Sequence, residues 1–116
     1  MEPKIIERPW GIEKVITETA YYIVREITIK KGKAVSMQYH REKVETLYVL
    51  SGSATYWLKK VGEEEFTTKV AKKGDILEHR PYEVHRERAL EDFTFIEIST
   101  TQAEDIVRLE DDYGRI

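Results

Sequence analysis

Cysteine is absent from the 116 residues, which excludes a disulfide framework and every thiolate-ligated metal site. Histidine is scarce, with 3 positions, as is proline, with 3. Any metal must therefore be held by imidazole and oxygen donors drawn from a very small set. No apolar run approaches the ~18 residues of a membrane span, and the opening MEPKIIERPWG carries no apolar leader core. A cytoplasmic protein without a membrane partner is expected. Charge of one sign is lacking too: 19 Lys and Arg against 22 Asp and Glu leave a net -3. That balance gives no footprint for nucleic acid or an anionic membrane.

What is abundant is charge of both signs, at 35% of residues against roughly 25% on average. A chain rich in Lys and Glu and free of Cys fits a thermophilic source. The length predicts a single domain over residues 1–116 around one core. It leaves no space for an α/β nucleotide domain, and no glycine-rich nucleotide loop is present.

Short segments rich in β-branched and aromatic residues recur along the chain, at Tyr21–Ile29, Val35–Tyr39, Thr46–Leu50, Ala54–Leu58, Glu65–Val70, Asp75–Glu78, Val84–Ala89 and Thr94–Thr100. They predict strands. Gly32, Gly52, Gly62 and Gly74 fall between them, where tight turns need positive φ. The pattern is that of an all-β antiparallel sandwich or barrel. In Phe93–Ile98 the apolar spacing suggests one buried face through Phe93 and Phe95, reaching Ile98 by a slip or by two-sided burial near the end. The segment AEDIVRLEDDYG spaces Ile106 and Leu109 three apart, so a helical turn or an extended tail is expected there.

One constellation carries chemistry. Gln38 and His40 stand two apart on a strand and share a face. Glu45 opens the next strand, and His85 lies eleven positions after Gly74. Taken singly, each is an ordinary surface or hydrogen-bonded residue. Taken together, two imidazoles, a carboxylate and an amide oxygen form a mixed donor set suited to one divalent ion: Zn, Fe, Mn, Co or Ni. The aromatic residues Trp10, Tyr39, Tyr48, Tyr56 and Trp57 are candidates for a sugar platform, but most are expected in core or edge packing, and alternation turns Tyr39 away from the ligands.

These residues also carry a resemblance. Gly32, Gln38, His40, Glu45 and Gly52 are spaced like the first cupin motif, with Gln38 where a histidine is more usual, and Gly74 to His85 resembles the second. ERPWG (Glu7–Gly11), YYIVREITI (Tyr21–Ile29), SMQYH (Ser36–His40) and the tail DIVRLEDDYGR (Asp105–Arg115) are similar to the type II mannose-6-phosphate isomerases. In that family the module usually forms the C-terminal part of a bifunctional enzyme that carries a mannose-1-phosphate guanylyltransferase. The resemblance implies a double-stranded β-helix, or jelly roll, with the ion in the barrel mouth. It also implies interconversion of mannose 6-phosphate and fructose 6-phosphate through an enediol, in the metabolism of GDP-mannose and polysaccharide precursors. The chain departs from the family where SMQYHREKVETL replaces SLQYHHHRSEHW, and where His79-Arg80-Pro81-Tyr82 replaces an isoleucine-proline-x-glycine turn.

Isomerisation needs a proton carrier with a pKa near working pH. His79, Glu78, Lys43 and Glu97 are the candidates, with His79 first for its ordinary pKa of about 6.5. For the phosphate, the resemblance points to Arg108, Arg115 and Arg8, and to Lys43, which stands where the family has an arginine. His79, Lys43 and Arg108 form the expected catalytic set. The competing role for Arg8 and Arg115 is ion pairing with Asp111 and Asp112. A non-catalytic metal-holding cupin that binds a sugar phosphate or nucleotide sugar, as a sensor or as the partner of a separate guanylyltransferase, is the alternative. A homodimer through exposed strand edges is expected in either case.

Overall fold

The computed structural model describes residues 2–116. Its strands are β1 (Lys4–Arg8), β2 (Gly11–Glu18), β3 (Ile23–Ile29), β4 (Met37–Tyr39), β5 (Glu45–Ser51), β6 (Ser53–Lys60), β7 (Thr67–Lys72), β8 (Ile76–His79), β9 (Glu83–Ala89), β10 (Phe93–Ser99) and β11 (Val107–Glu110). They form a six-stranded sheet, ordered β1-β2-β3-β10-β5-β8, and a five-stranded sheet, ordered β11-β4-β9-β6-β7. Every pairing is antiparallel. Alternation along the strands sends one face of each sheet inward. Ile27, Leu47 and Phe93 from the larger sheet therefore meet Ala54, Tyr56 and Ala89 from the smaller in a shared core.

All eight predicted segments are strands. The β1–β2 hairpin and β11 were not foreseen as strands. No helix occurs among the described residues, so of the two readings of the tail the helical turn is wrong and the extended one holds. The reason is tertiary: Val107 and Arg108 pair with Tyr39 and Gln38 on the open edge of β4. A second correction concerns β10, where alternation continues without a slip. Phe93, Phe95, Glu97 and Ser99 all point inward and are buried, while Ile98 is 50% exposed. A polar interior at this end of the barrel accepts Glu97 where an apolar core would demand a hydrophobic residue.

Gly52 shows why the turns need glycine. Its φ is 80°, and a Cβ there would lie 2.0 Å from the Asp92 carbonyl oxygen. Only a residue without Cβ lets the β5–β6 turn pass this close to β10.

Candidate metal centre

Gln38 on β4 and His85 on β9 are register partners, so they share the inward face of the smaller sheet. His40 follows β4 directly. Glu45 begins β5, in the opposite sheet, and the set therefore bridges the two layers. Nε2 of His40 and Nε2 of His85 each lie 3.5 Å from Oε1 of Glu45. All three residues are buried.

Both Nε2 atoms are buried without a hydrogen-bond partner. Such atoms cost about 1–3 kcal/mol each if left unpaired, and a shared cation would satisfy both together. His40 is already oriented for that role. A main-chain carbonyl only accepts, so the His40 Nδ1–H donates to the Asp105 carbonyl oxygen at 2.5 Å, which leaves the Nε2 lone pair for a ligand. Burial, followed by the charge of His79, pushes the His85 imidazole well below its ordinary pKa and keeps it neutral, as a ligand must be. Burial works against ionised Glu45. The hydrogen bond from His79 and the Lys43 ammonium are among the contacts that outweigh it and hold the carboxyl well below the usual range. His40, Glu45 and His85 can thus hold one divalent ion. Gln38 lines the same cavity, and its Oε1 accepts the Ser36 hydroxyl at 2.7 Å, with a second lone pair to offer.

The cavity above this set measures about 450 Å³. Its walls come from the β1–β2 hairpin, the inward faces of β3, β5, β9 and β10, and the tail. Arg8, Lys43, Arg108 and Arg115, far apart in sequence, all line it. They differ in freedom. Arg8 pairs with Glu13 at 3.2 Å. Arg115 grips Asp111 through two guanidinium nitrogens at 2.7 and 3.0 Å, which is half of the ion pairing expected for it. Asp112 instead binds Arg86 and Arg88. Arg108 has no ion-pair partner among the described residues, and its Nε is buried and unpaired.

Lys43 is buried with Nζ 3.2 Å from Glu45 Oε2 and 3.9 Å from Glu97 Oε1. Glu97 then pairs with Arg25 at 2.8 Å. Burial, reinforced by the Glu45 charge, still pushes the Glu97 carboxyl up to about 8. Glu87, two residues past His85 and on the same cavity wall, is pushed up to about 7 by burial. Sequence reasoning missed Glu87, Arg25 and Asp105. The first was readable from the alternation His85, Glu87, Ala89; the others depend on pairing across the fold.

His79, expected as the proton carrier, does not line the cavity. It is fully buried at the end of β8, with Nδ1 2.7 Å from Glu45 Oε1 and Nε2 2.7 Å from the Tyr56 hydroxyl. Glu78 is exposed on the outer face. Of the four proposed carriers, Lys43 and Glu97 reach the cavity. Tyr39 points away, as expected, and packs on Tyr82 at 5.7 Å between ring centroids.

Comparison with known proteins agrees with this architecture. CapF from Staphylococcus aureus, a capsular polysaccharide assembling protein, superposes with a TM-score of 0.78 at 18% identity over 94% of this chain and 34% of CapF. A double-stranded β-helix protein from Klebsiella pneumoniae gives a TM-score of 0.70 at 23% identity over 95% of this chain and 86% of the other. Both likenesses establish the fold. Among curated proteins, the mannose-1-phosphate guanylyltransferase ManC of Salmonella typhimurium is 30% identical over 96% of this chain, which spans 23% of its length. The family described as "Mannose-6-phosphate isomerase C-terminal" matches residues 2–111. The chain has a double-stranded β-helix fold and belongs to the mannose-6-phosphate isomerase C-terminal family.

Proposed function

We propose that this chain is a metal-dependent isomerase that interconverts mannose 6-phosphate and fructose 6-phosphate, upstream of nucleotide-sugar formation. One observation carries the reading: unpaired imidazole nitrogens and a carboxylate converge at the base of a cavity whose walls hold Arg8, Lys43, Arg108 and Arg115. A divalent ion held by His40, Glu45, His85 and Gln38 would supply Lewis acidity for negative charge that develops on adjacent sugar oxygens. The neutral amide of Gln38 leaves Glu45 as the single anionic donor, which favours an anionic substrate. Arg108 and Arg8 hold the phosphate, Arg108 with an uncommitted guanidinium. Lys43, Glu97 and Glu87 are the cavity-lining groups that would carry a proton, since His79 has both nitrogens engaged behind the ligands.

That last point favours a second reading. A cupin without an imidazole free for proton transfer could bind metal and sugar phosphate without turnover, as a sensor or as the partner of a separate guanylyltransferase. Incubation of the metal-loaded protein with mannose 6-phosphate in deuterated water separates the two. Fructose 6-phosphate, and deuterium at carbon two of the recovered mannose 6-phosphate, are the expected result; measurable binding with neither removes the isomerase. Either reading includes a homodimer through the open edges of β1, β7, β8 or β11, which a monomeric mass by light scattering would remove.

A further inference from the structure

All three histidines of the chain surround one carboxylate, yet only two are placed to ligate through it. Glu45 and His79 are register partners on β5 and β8, so both side chains project to the same inward face. A carboxylate only accepts, so the His79 Nδ1–H donates to Glu45 Oε1 at 2.7 Å. On the other side of the ring, Nε2 is hydrogen-bonded to the Tyr56 hydroxyl at 2.7 Å. The His79 ring lies flat against His85, with centroids 3.5 Å apart and planes 7° from parallel.

The stacking decides what His79 is. A ligating imidazole directs its lone pair within its own plane, so two rings stacked face to face cannot both aim at one ion. His79 also commits its Nδ1 proton to Glu45 and its Nε2 to the Tyr56 hydroxyl. It is therefore excluded as a fourth ligand, and as a base acting from the cavity. It touches two ligands at once, by a hydrogen bond to Glu45 and by stacking on His85.

We propose that His79 is a positioning residue for the metal centre, anchored by Tyr56, which fixes the carboxylate of Glu45 and the ring plane of His85 and thereby sets metal affinity and coordination geometry. This rests on the metal reading above and not on the isomerase reading. Residues in such a supporting position typically change metal affinity by about 10–100-fold when replaced.

The test uses cobalt(II) on the full chain, read by competition with a chromogenic chelator and by the visible absorption of the bound ion, which reports coordination geometry. His79→Phe keeps an aromatic ring for the stack and removes the donor to Glu45. A loss of about 10–100-fold in cobalt affinity, with an altered visible spectrum and a thermal melt showing a folded metal-free protein, is expected. Tyr56→Phe removes only the hydroxyl and should shift both readouts in the same direction by less. Wild-type affinity and spectrum in folded His79→Phe overturn the assignment. If His79→Phe does not fold, wild-type behaviour of Tyr56→Phe overturns it instead. Loss of cobalt in His40→Ala, measured alongside, confirms the centre itself; a wild type that binds no cobalt overturns the metal reading and this role with it.

Discussion

The backbone carbonyl of Asp105 accepts from His40 while its carboxylate caps the loop that follows His40. The carboxylate oxygens lie 3.0 Å from the Arg41 amide, 2.6 Å from Glu42 and 2.9 Å from Lys43. One tail residue therefore orients a ligand and shapes the loop that delivers Lys43 and Glu45. The backbone N–H groups of Arg41, Glu42 and Lys43 hold the Asp105 carboxyl down at about 2.

Because that pKa is depressed below the unfolded value of about 3.9, the contribution is present above pH ~4 and lost as pH falls through about 2. Asp111, held at about 2 by Arg115, titrates in the same window. The Asp105 share is therefore read as wild type minus Asp105→Asn. Melting temperatures between pH 5 and pH 2 should converge for the two proteins at the acid end. Parallel curves across that range would contradict the assignment.

Lys43 lies between the buried carboxyl groups of Glu45 and Glu97, and its removal leaves the Glu45 carboxylate without its ammonium partner. Breaking a buried ion pair from one side costs about 3–5 kcal/mol, and Arg25 still balances part of Glu97. Lys43→Met should therefore destabilise the metal-free protein by about 3 kcal/mol, measured by urea unfolding at pH 7. A change within ~0.5 kcal/mol, the range of an ordinary surface substitution, would show that the ammonium does not hold this site together.

The sequence made the inner strands legible because their inward positions are apolar and their turns carry glycine. It concealed the β1–β2 hairpin because there the pattern is reversed. Ile5, Ile12 and Ile16 face outward, while Glu13 and Val15 line a polar cavity. Binary patterning assumes an apolar interior, and near a binding site that assumption fails. Gln38, His40, Glu45 and His85 leave a trace in the spacing because β4 and β9 are paired and only a short loop after His40 carries the chain across to β5 in the opposite sheet. His79 was expected as a proton carrier, and its place behind the ligands was not legible because its burial arises from pairing with Glu45, thirty-four positions away, which no local periodicity reports.

Gly52 and Gly62 offer a paired test of turn chemistry. Both have positive φ, at 80° and 95°. A Cβ on Gly62 meets nothing within 4 Å, whereas one on Gly52 strikes the Asp92 carbonyl. Gly62→Ala should lose about 1 kcal/mol from the left-handed conformation alone. Gly52→Ala should lose at least ~2 kcal/mol more, because backbone must move to accommodate it. Equal urea midpoints for the two variants would refute the close approach of β5–β6 to β10.

The two tail arginines should separate binding from stability. Arg108 lines the cavity without an ion-pair partner among the described residues, whereas Arg115 is committed to Asp111 by two hydrogen bonds. Hydrogen bonds to charged groups contribute about 1.5–3 kcal/mol, equivalent to about 10–150-fold in affinity. Arg108→Ala should weaken mannose 6-phosphate binding by about that factor and leave the melting temperature nearly unchanged. Arg115→Ala should instead lower the melting temperature and disturb affinity only modestly, because Asp111 already neutralises it. Isothermal titration of both variants with mannose 6-phosphate, with inorganic phosphate as the reference ligand, distinguishes them. If Arg115→Ala loses more affinity than Arg108→Ala, the phosphate sits against the end of the tail and the Asp111 pair opens to receive it.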